Sequence, residues 1–262
     1  MDFEIKRKNG LYTIIAYLVI FNLLGYFISS LIATILKSFN VDLTNKENAN
    51  TATSFINLFI YLIMFVVLIL IYKKDLLTDI KPFFKNKASN ILLIILGSYG
   101  IFYVINGFVT VLVQSAEANI NYISDFYMMP PFEQLLKVSS TATNQTDIEA
   151  ILKSNGFIFM FLSAGIFGPI CEELVFRKAF FDLCKTKEMG IFLSSLCFGL
   201  IHVTSSVGYF DGVSLLLMTI PYVVSGVAFG YIYIKNDCNI VVPTIVHMLS
   251  NIISMIGIMF II

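Results

Sequence analysis

The sequence predicts an all-α, polytopic transmembrane bundle of about seven to eight spans, with its N-terminus cytoplasmic. Three observations predict it. Hydrophobic residues fill 58% of the 262 positions against 13% charged, which leaves too little polar surface for one soluble domain. The apolar residues come in long blocks instead of at amphipathic spacing. The basic residues lie in short segments between the blocks and divide unequally between the two sides.

A helix rising about 1.5 Å per residue needs roughly 20 apolar residues to cross a hydrocarbon core. In chain order the blocks are Leu11 to Leu36, Phe55 to Tyr72, Ile91 to Val113, Phe157 to Phe176, Ile191 to Val203, Val213 to Ile234 and Ile240 to Ile262. The first follows Lys6, Arg7 and Lys8, as a signal peptide would, but runs on without a small-residue cleavage pattern and reads as a retained span. The fourth carries Gly168-Pro169 just before two glutamates, a place for a helix to break and reset. The fifth is short. With the N-terminus inside, only Lys37, Lys46, Lys137 and Lys153 of the 17 basic residues fall outside, the asymmetry of a positive-inside topology.

Two regions follow. Residues 1–156 hold the N-terminal spans plus an extracytoplasmic loop over 114–156, within which Phe126 to Leu136 reads as an interfacial segment. Residues 157–262 form a second helical region. The formal net charge is zero and the basic residues only flank spans, so the lipid bilayer is an expected partner and nucleic acid is not. The sequence carries no signal for an oligomeric state. Cys171, Cys184, Cys197 and Cys238 form no CxxC pair and read as reduced, small apolar residues.

Ionisable groups inside a membrane are costly and mark function. Arg177 and Lys178 can reach the cytoplasmic interface along their stems; Glu172 and Glu173 are shorter and deeper. Glu173 and Arg177, four apart, share a helical face and suit an ion pair, whereas Glu172 is rotated about 100° away and is left for other work. The chain has two histidines, His202 and His247, both inside apolar runs. Asn251 shares a face with His247, and Phe198 is spaced to wall His202. Carboxylates from one helix, an imidazole from the next and an imidazole plus an amide from the last are the parts of a hydrolase. Ser163, Ser194, Ser195, Ser250 and Ser254 are available but none sits in a G-x-S-x-G setting. Zinc on two histidines and a glutamate is a further reading. A proton-relaying transporter is another, though no inverted repeat supports it.

Glu172-Glu173-Leu174-Val175-Phe176-Arg177 resembles an E-E-x-x-x-R motif, Phe198-Gly199-Leu200-Ile201-His202 an F-x-x-x-H, and His247-Met248-Leu249-Ser250-Asn251 an H-x-x-x-N. Three such motifs in this order on three spans resemble the CPBP family, the CAAX prenyl-protease and bacteriocin-processing group of intramembrane glutamic proteases, also called Abi. The resemblance covers roughly Ile166 to Ile262, and Lys178 stands where many members have glycine. It implies a metal-independent endopeptidase with no cofactor, acting on a peptide or membrane-associated protein, and the richness in Ile, Asn, Lys and Phe with no Trp fits a bacterial cell membrane. Glu172 and His202 would activate water, His247 and Asn251 would stabilise the oxyanion, and Glu173, Arg177 and Phe198 would support them. Peptide maturation or bacteriocin immunity are the implied settings, and a non-catalytic scaffold of the same fold is the alternative. The site is expected to open toward the cytoplasm. Depth resists the picture: Glu172 lies roughly 8 Å in from Arg177, and His202 roughly 18 Å in from Ile191.

Overall fold

The structure, a computed structural model, describes residues 2–85, 88–127 and 139–260. Among them the chain forms eight helices and no strand: α1 (2–38), α2 (Lys46–Lys85), α3 (Ala88–Tyr127), α4 (Thr143–Leu152), α5 (157–183), α6 (Lys187–Val203), α7 (Gly212–Lys235) and α8 (Val241–Phe260). All but α4 contain a stretch long and apolar enough to cross a membrane. The chain is a multi-pass membrane protein. Its outer faces suit that solvent: Leu92, Leu93, Tyr103, Val104 and Phe108 of α3 are all exposed, as lipid-facing side chains must be.

The main core forms where α5 is enclosed by its neighbours. Leu174, Val175 and Phe176 pack with Tyr17 of α1, Met64, Leu68 and Tyr72 of α2, and Phe198 of α6. The α6–α7 hairpin closes more tightly. Gly226 and Gly230 lie one turn apart on α7, and a Cβ on Gly226 would sit 2.8 Å from the Cα of Ser195. Small residues at this spacing let membrane helices approach backbone to backbone.

The α5 helix does not break at Gly168-Pro169. It stays continuous and widens instead, with π-helical turns at Ser163–Phe167 and Leu174–Ala179 on either side of Pro169. Proline offers no N–H to the preceding turn, and the wider register absorbs this: the Gly168 N–H reaches back five residues to the Ser163 carbonyl. A Cβ on residue 168 would lie 2.9 Å from that same oxygen, so the turn requires glycine. In this register the Ala164 carbonyl falls opposite Pro169, which cannot donate.

Arg177 and Lys178 do not extend outward along their stems but pack inside the protein. The helix continues to Leu183, leaving Arg177 fully buried and Lys178 nearly so, the latter paired with Asp79 at 3.2 Å. The depth conflict shrinks accordingly. Counted from Leu183, Glu172 lies roughly 16 Å along its helix, against roughly 22 Å for His202 counted from Lys187.

The segment 114–156 is more ordered than a loop. The α3 helix runs through to Tyr127, and α4 forms inside the segment. The Thr143 N–H donates to Ser206 Oγ at 2.9 Å and Asn50 Nδ2 to the Ala150 carbonyl at 3.5 Å, which ties α4 to its neighbours. Most of the expected interfacial segment lies outside the described residues. All four cysteines are free.

Candidate active site

Glu172 and Glu173 are adjacent on α5, and the helical rotation between them sends their side chains to different partners. Glu173 is fully buried. One of its oxygens lies 2.9 Å from His247 Nδ1 and the other 3.2 Å from Arg177 Nε, also fully buried. The Arg177 Nε–H is not aimed along that line, so the attraction is one of charge rather than a hydrogen bond. The guanidinium donates to the Gly226 carbonyl at 3.2 Å and lies between the Phe198 and Phe229 rings, 4.9 and 5.2 Å from their centroids. A buried charge is tolerable only with such compensation. The expected pair therefore exists, but it sits inside the bundle.

Glu172 turns toward a cavity of about 280 Å³. Its Oε1 accepts a hydrogen bond from the Tyr61 hydroxyl at 3.1 Å. Its Oε2 faces two imidazoles, with His247 Nε2 at 3.8 Å and His202 Nε2 at 4.0 Å.

The surroundings set where each imidazole carries its proton. His202 Nδ1 lies 2.8 Å from the Phe198 carbonyl, which can only accept, so Nδ1 donates and a neutral His202 presents a lone pair at Nε2. His247 Nδ1 faces the Glu173 carboxylate, the partner of Arg177, and also donates. Aromatic rings fix both planes. His202 stacks on Tyr222 at 4.5 Å and contacts Phe198 at 4.3 Å, while His247 stacks on Phe229 at 4.5 Å.

Asn251 lines the same cavity, but its Nδ2 donates at 2.8 Å to the Ala164 carbonyl, the acceptor that Pro169 leaves unserved. One of its two N–H groups is thus committed to holding α8 against α5. The structure brings Glu172, His202, His247, Asn251 and Phe198 to one cavity, with Glu173 and Arg177 buried behind it. The cavity runs toward the opposite side from the loops expected to be cytoplasmic. Gln145 and Ile148 of α4 and Ile258 in the last turn of α8 line it, which places its far end on the side of the 114–156 segment.

Among the lining residues that the sequence did not point to, several carry rings or an amide into the cavity. Tyr61, Tyr222 and Phe229 look like ordinary apolar positions within spans, and Gln145 belongs to a segment without periodicity. Of the candidate serines, Ser250 and Ser254 line the cavity, whereas Ser163 and Ser194 bond back to their own helices. Glu172, His202 and His247 are the side chains nearest to a metal-ligand set. Among the described residues, no group of three or more His, Cys, Asp or Glu is arranged to hold a metal ion.

Residues 154–253 match the family model described as Rce1-like, type II CAAX prenyl endopeptidase. That segment contains Glu172, Glu173, Arg177, Phe198, His202, His247 and Asn251, and nothing of α2. The match makes α5 to α8 similar to that family and covers less than half of the chain. Similar proteins include an uncharacterized protein of Mycoplasma capricolum, 30% identical over 101 residues, which are 38% of this chain and 28% of that protein. Two proteins of Lactococcus lactis also match. UPF0177 protein YaiF is 37% identical over 68 residues, 26% of this chain and 31% of that one, and UPF0177 protein YxdF is 28% identical over 111 residues, 42% and 56%. The chain thus spans between about a quarter and just over half of these relatives' lengths. No solved structure matches.

Proposed function

We propose that this protein is a metal-independent glutamic endopeptidase of a bacterial cell membrane, hydrolysing a peptide bond in a peptide or membrane-associated protein. The observation that carries the reading is the Glu172 carboxylate facing two imidazole Nε2 atoms, at 3.8 and 4.0 Å, inside a cavity. The 4.0 Å between Glu172 Oε2 and His202 Nε2, two acceptors too far apart for a direct hydrogen bond, suits a water molecule donating one proton to each.

In this mechanism Glu172 takes a proton from the water as its oxygen attacks the peptide carbonyl, forming the tetrahedral oxyanion. His202, its Nδ1–H engaged by the Phe198 carbonyl, orients the water from Nε2. His247, whose two ring nitrogens each face a carboxylate, serves as oxyanion donor from Nε2–H beside the free N–H of Asn251. Glu172 then passes its proton to the leaving amine as the C–N bond breaks. Glu173 and Arg177 hold the His247 ring. Peptide maturation or bacteriocin immunity is the setting that fits the bacterial relatives and the motif set.

The test is proteolysis by the purified full chain in detergent on short lipidated and unlipidated peptides, with Glu172→Gln and with excess chelator. Cleavage that vanishes in Glu172→Gln and survives chelation is expected. Loss on chelation would transfer the chemistry to zinc, and activity retained by Glu172→Gln would remove the glutamate from the reaction.

A further inference from the structure

We propose that Tyr61, which lies outside the matched segment 154–253, is a positioning residue for the reaction: its hydroxyl holds Oε1 of Glu172 so that Oε2 is presented to both imidazoles. The inference rests on the proteolytic reading above and adds a component supplied by the N-terminal half of the chain. Tyr61 Oη donates to Glu172 Oε1 at 3.1 Å, and among the described residues it is the one hydrogen-bond donor to that carboxylate. The terminal torsion of a glutamate is soft and roughly twofold. Without the hydroxyl, neither oxygen would stay aimed between His202 and His247.

The tyrosine is itself fixed. Its ring meets Phe21 of α1 edge-on at 5.0 Å, and its backbone carbonyl receives the Cys171 thiol at 3.7 Å. Cys171 immediately precedes Glu172, so one contact registers α2 against α5 and the next aims the carboxylate. A tyrosine needed only for packing could leave its hydroxyl at a backbone carbonyl; this one is spent on the group that faces both histidines.

The experiment compares kcat and KM of the full chain on a cleaved peptide for wild type, Tyr61→Phe and Phe21→Leu, with Tm measured for each. Tyr61→Phe removes only the hydroxyl, whereas Phe21→Leu loosens the wall behind the ring and keeps the hydroxyl. The expected result is a kcat lower by about 10- to 100-fold in Tyr61→Phe, the scale of a misplaced catalytic group, with KM within about twofold. Phe21→Leu should lower Tm while keeping kcat within about threefold. Wild-type kcat in Tyr61→Phe, or equal kcat losses in both variants, would overturn the role of Tyr61 alone. Cleavage by no sample, across the lipidated and unlipidated panel, would overturn the proteolytic reading and this role with it.

Discussion

His247 donates from Nδ1 to Glu173 at 2.9 Å, and Glu173 lies 3.2 Å from Arg177 with both of those side chains fully buried. The imidazole nearest to Glu172 is thus held by a chain of buried charge that reaches the Gly226 carbonyl on α7.

Breaking this chain at one end should cost more than removing it. Arg177→Met leaves Glu173 as an uncompensated buried charge, a defect worth roughly 3–5 kcal/mol. The double variant Glu173→Gln/Arg177→Met should recover much of that loss in thermal unfolding in detergent, yet remain poorly active because His247 Nδ1 then faces a neutral amide in place of a carboxylate. Additive losses in the double variant would mean that the two side chains are not coupled.

The α6–α7 hairpin predicts a steric effect. A Cβ on Gly226 would meet the Ser195 backbone at 2.8 Å, and backbone cannot turn aside as a side-chain tip can. Gly226→Ala should destabilise by about 1–3 kcal/mol, the usual cost of overpacking, and adding Ser195→Gly should restore only part of it. An unchanged Tm in Gly226→Ala would contradict the close approach.

Much of this arrangement was legible in the sequence, for a physical reason. A membrane removes water as a partner, so a polar residue within an apolar block must find another polar residue, and Glu172, Glu173, His202, His247 and Asn251 stand out without any structure. Helical spacing linked Glu173 to Arg177 and Phe198 to His202. It could not link Tyr61 to Glu172, because a tyrosine in an apolar run carries no polar contrast and 111 residues separate the pair. Arg177 was placed at the interface because its long stem permits snorkelling, and nothing local reveals that two aromatic rings and Glu173 hold it inside. The π-turns around Pro169 were hidden likewise: proline marks a disturbed ladder but does not say whether the helix breaks or widens.

Acid should remove the cap of α7. Asp211 accepts from the N–H groups of Val213 and Ser214 at 2.8 and 3.0 Å and from the Ser214 hydroxyl at 2.7 Å. The bonds from Ser214 are the main reason that its carboxyl is held below the usual aspartate range. A depressed folded value adds stability above the unfolded pKa of about 3.9, which is lost as pH falls through the folded value. Asp211→Ala should therefore cost about 1 kcal/mol at neutral pH, and its Tm should converge on that of wild type as the pH falls below about 4. A constant difference across that range would show that the carboxylate charge plays no part in the cap.

Asn251 should reveal a structural duty when Pro169 is changed with it. In the π register the Gly168 N–H serves the Ser163 carbonyl, Pro169 has no N–H for that of Ala164, and Asn251 Nδ2 fills the gap at 2.8 Å. Asn251→Ala removes the bond to the part-buried Ala164 carbonyl, a loss of about 1 kcal/mol. Pro169→Ala supplies the missing N–H on α5 itself, so Pro169→Ala/Asn251→Ala should be more stable than Asn251→Ala alone, as read by thermal unfolding. Activity should not return, because the second N–H of Asn251 is absent from the cavity in both. Equal Tm values for the single Asn251 variant and the double would separate Asn251 from the proline-induced defect.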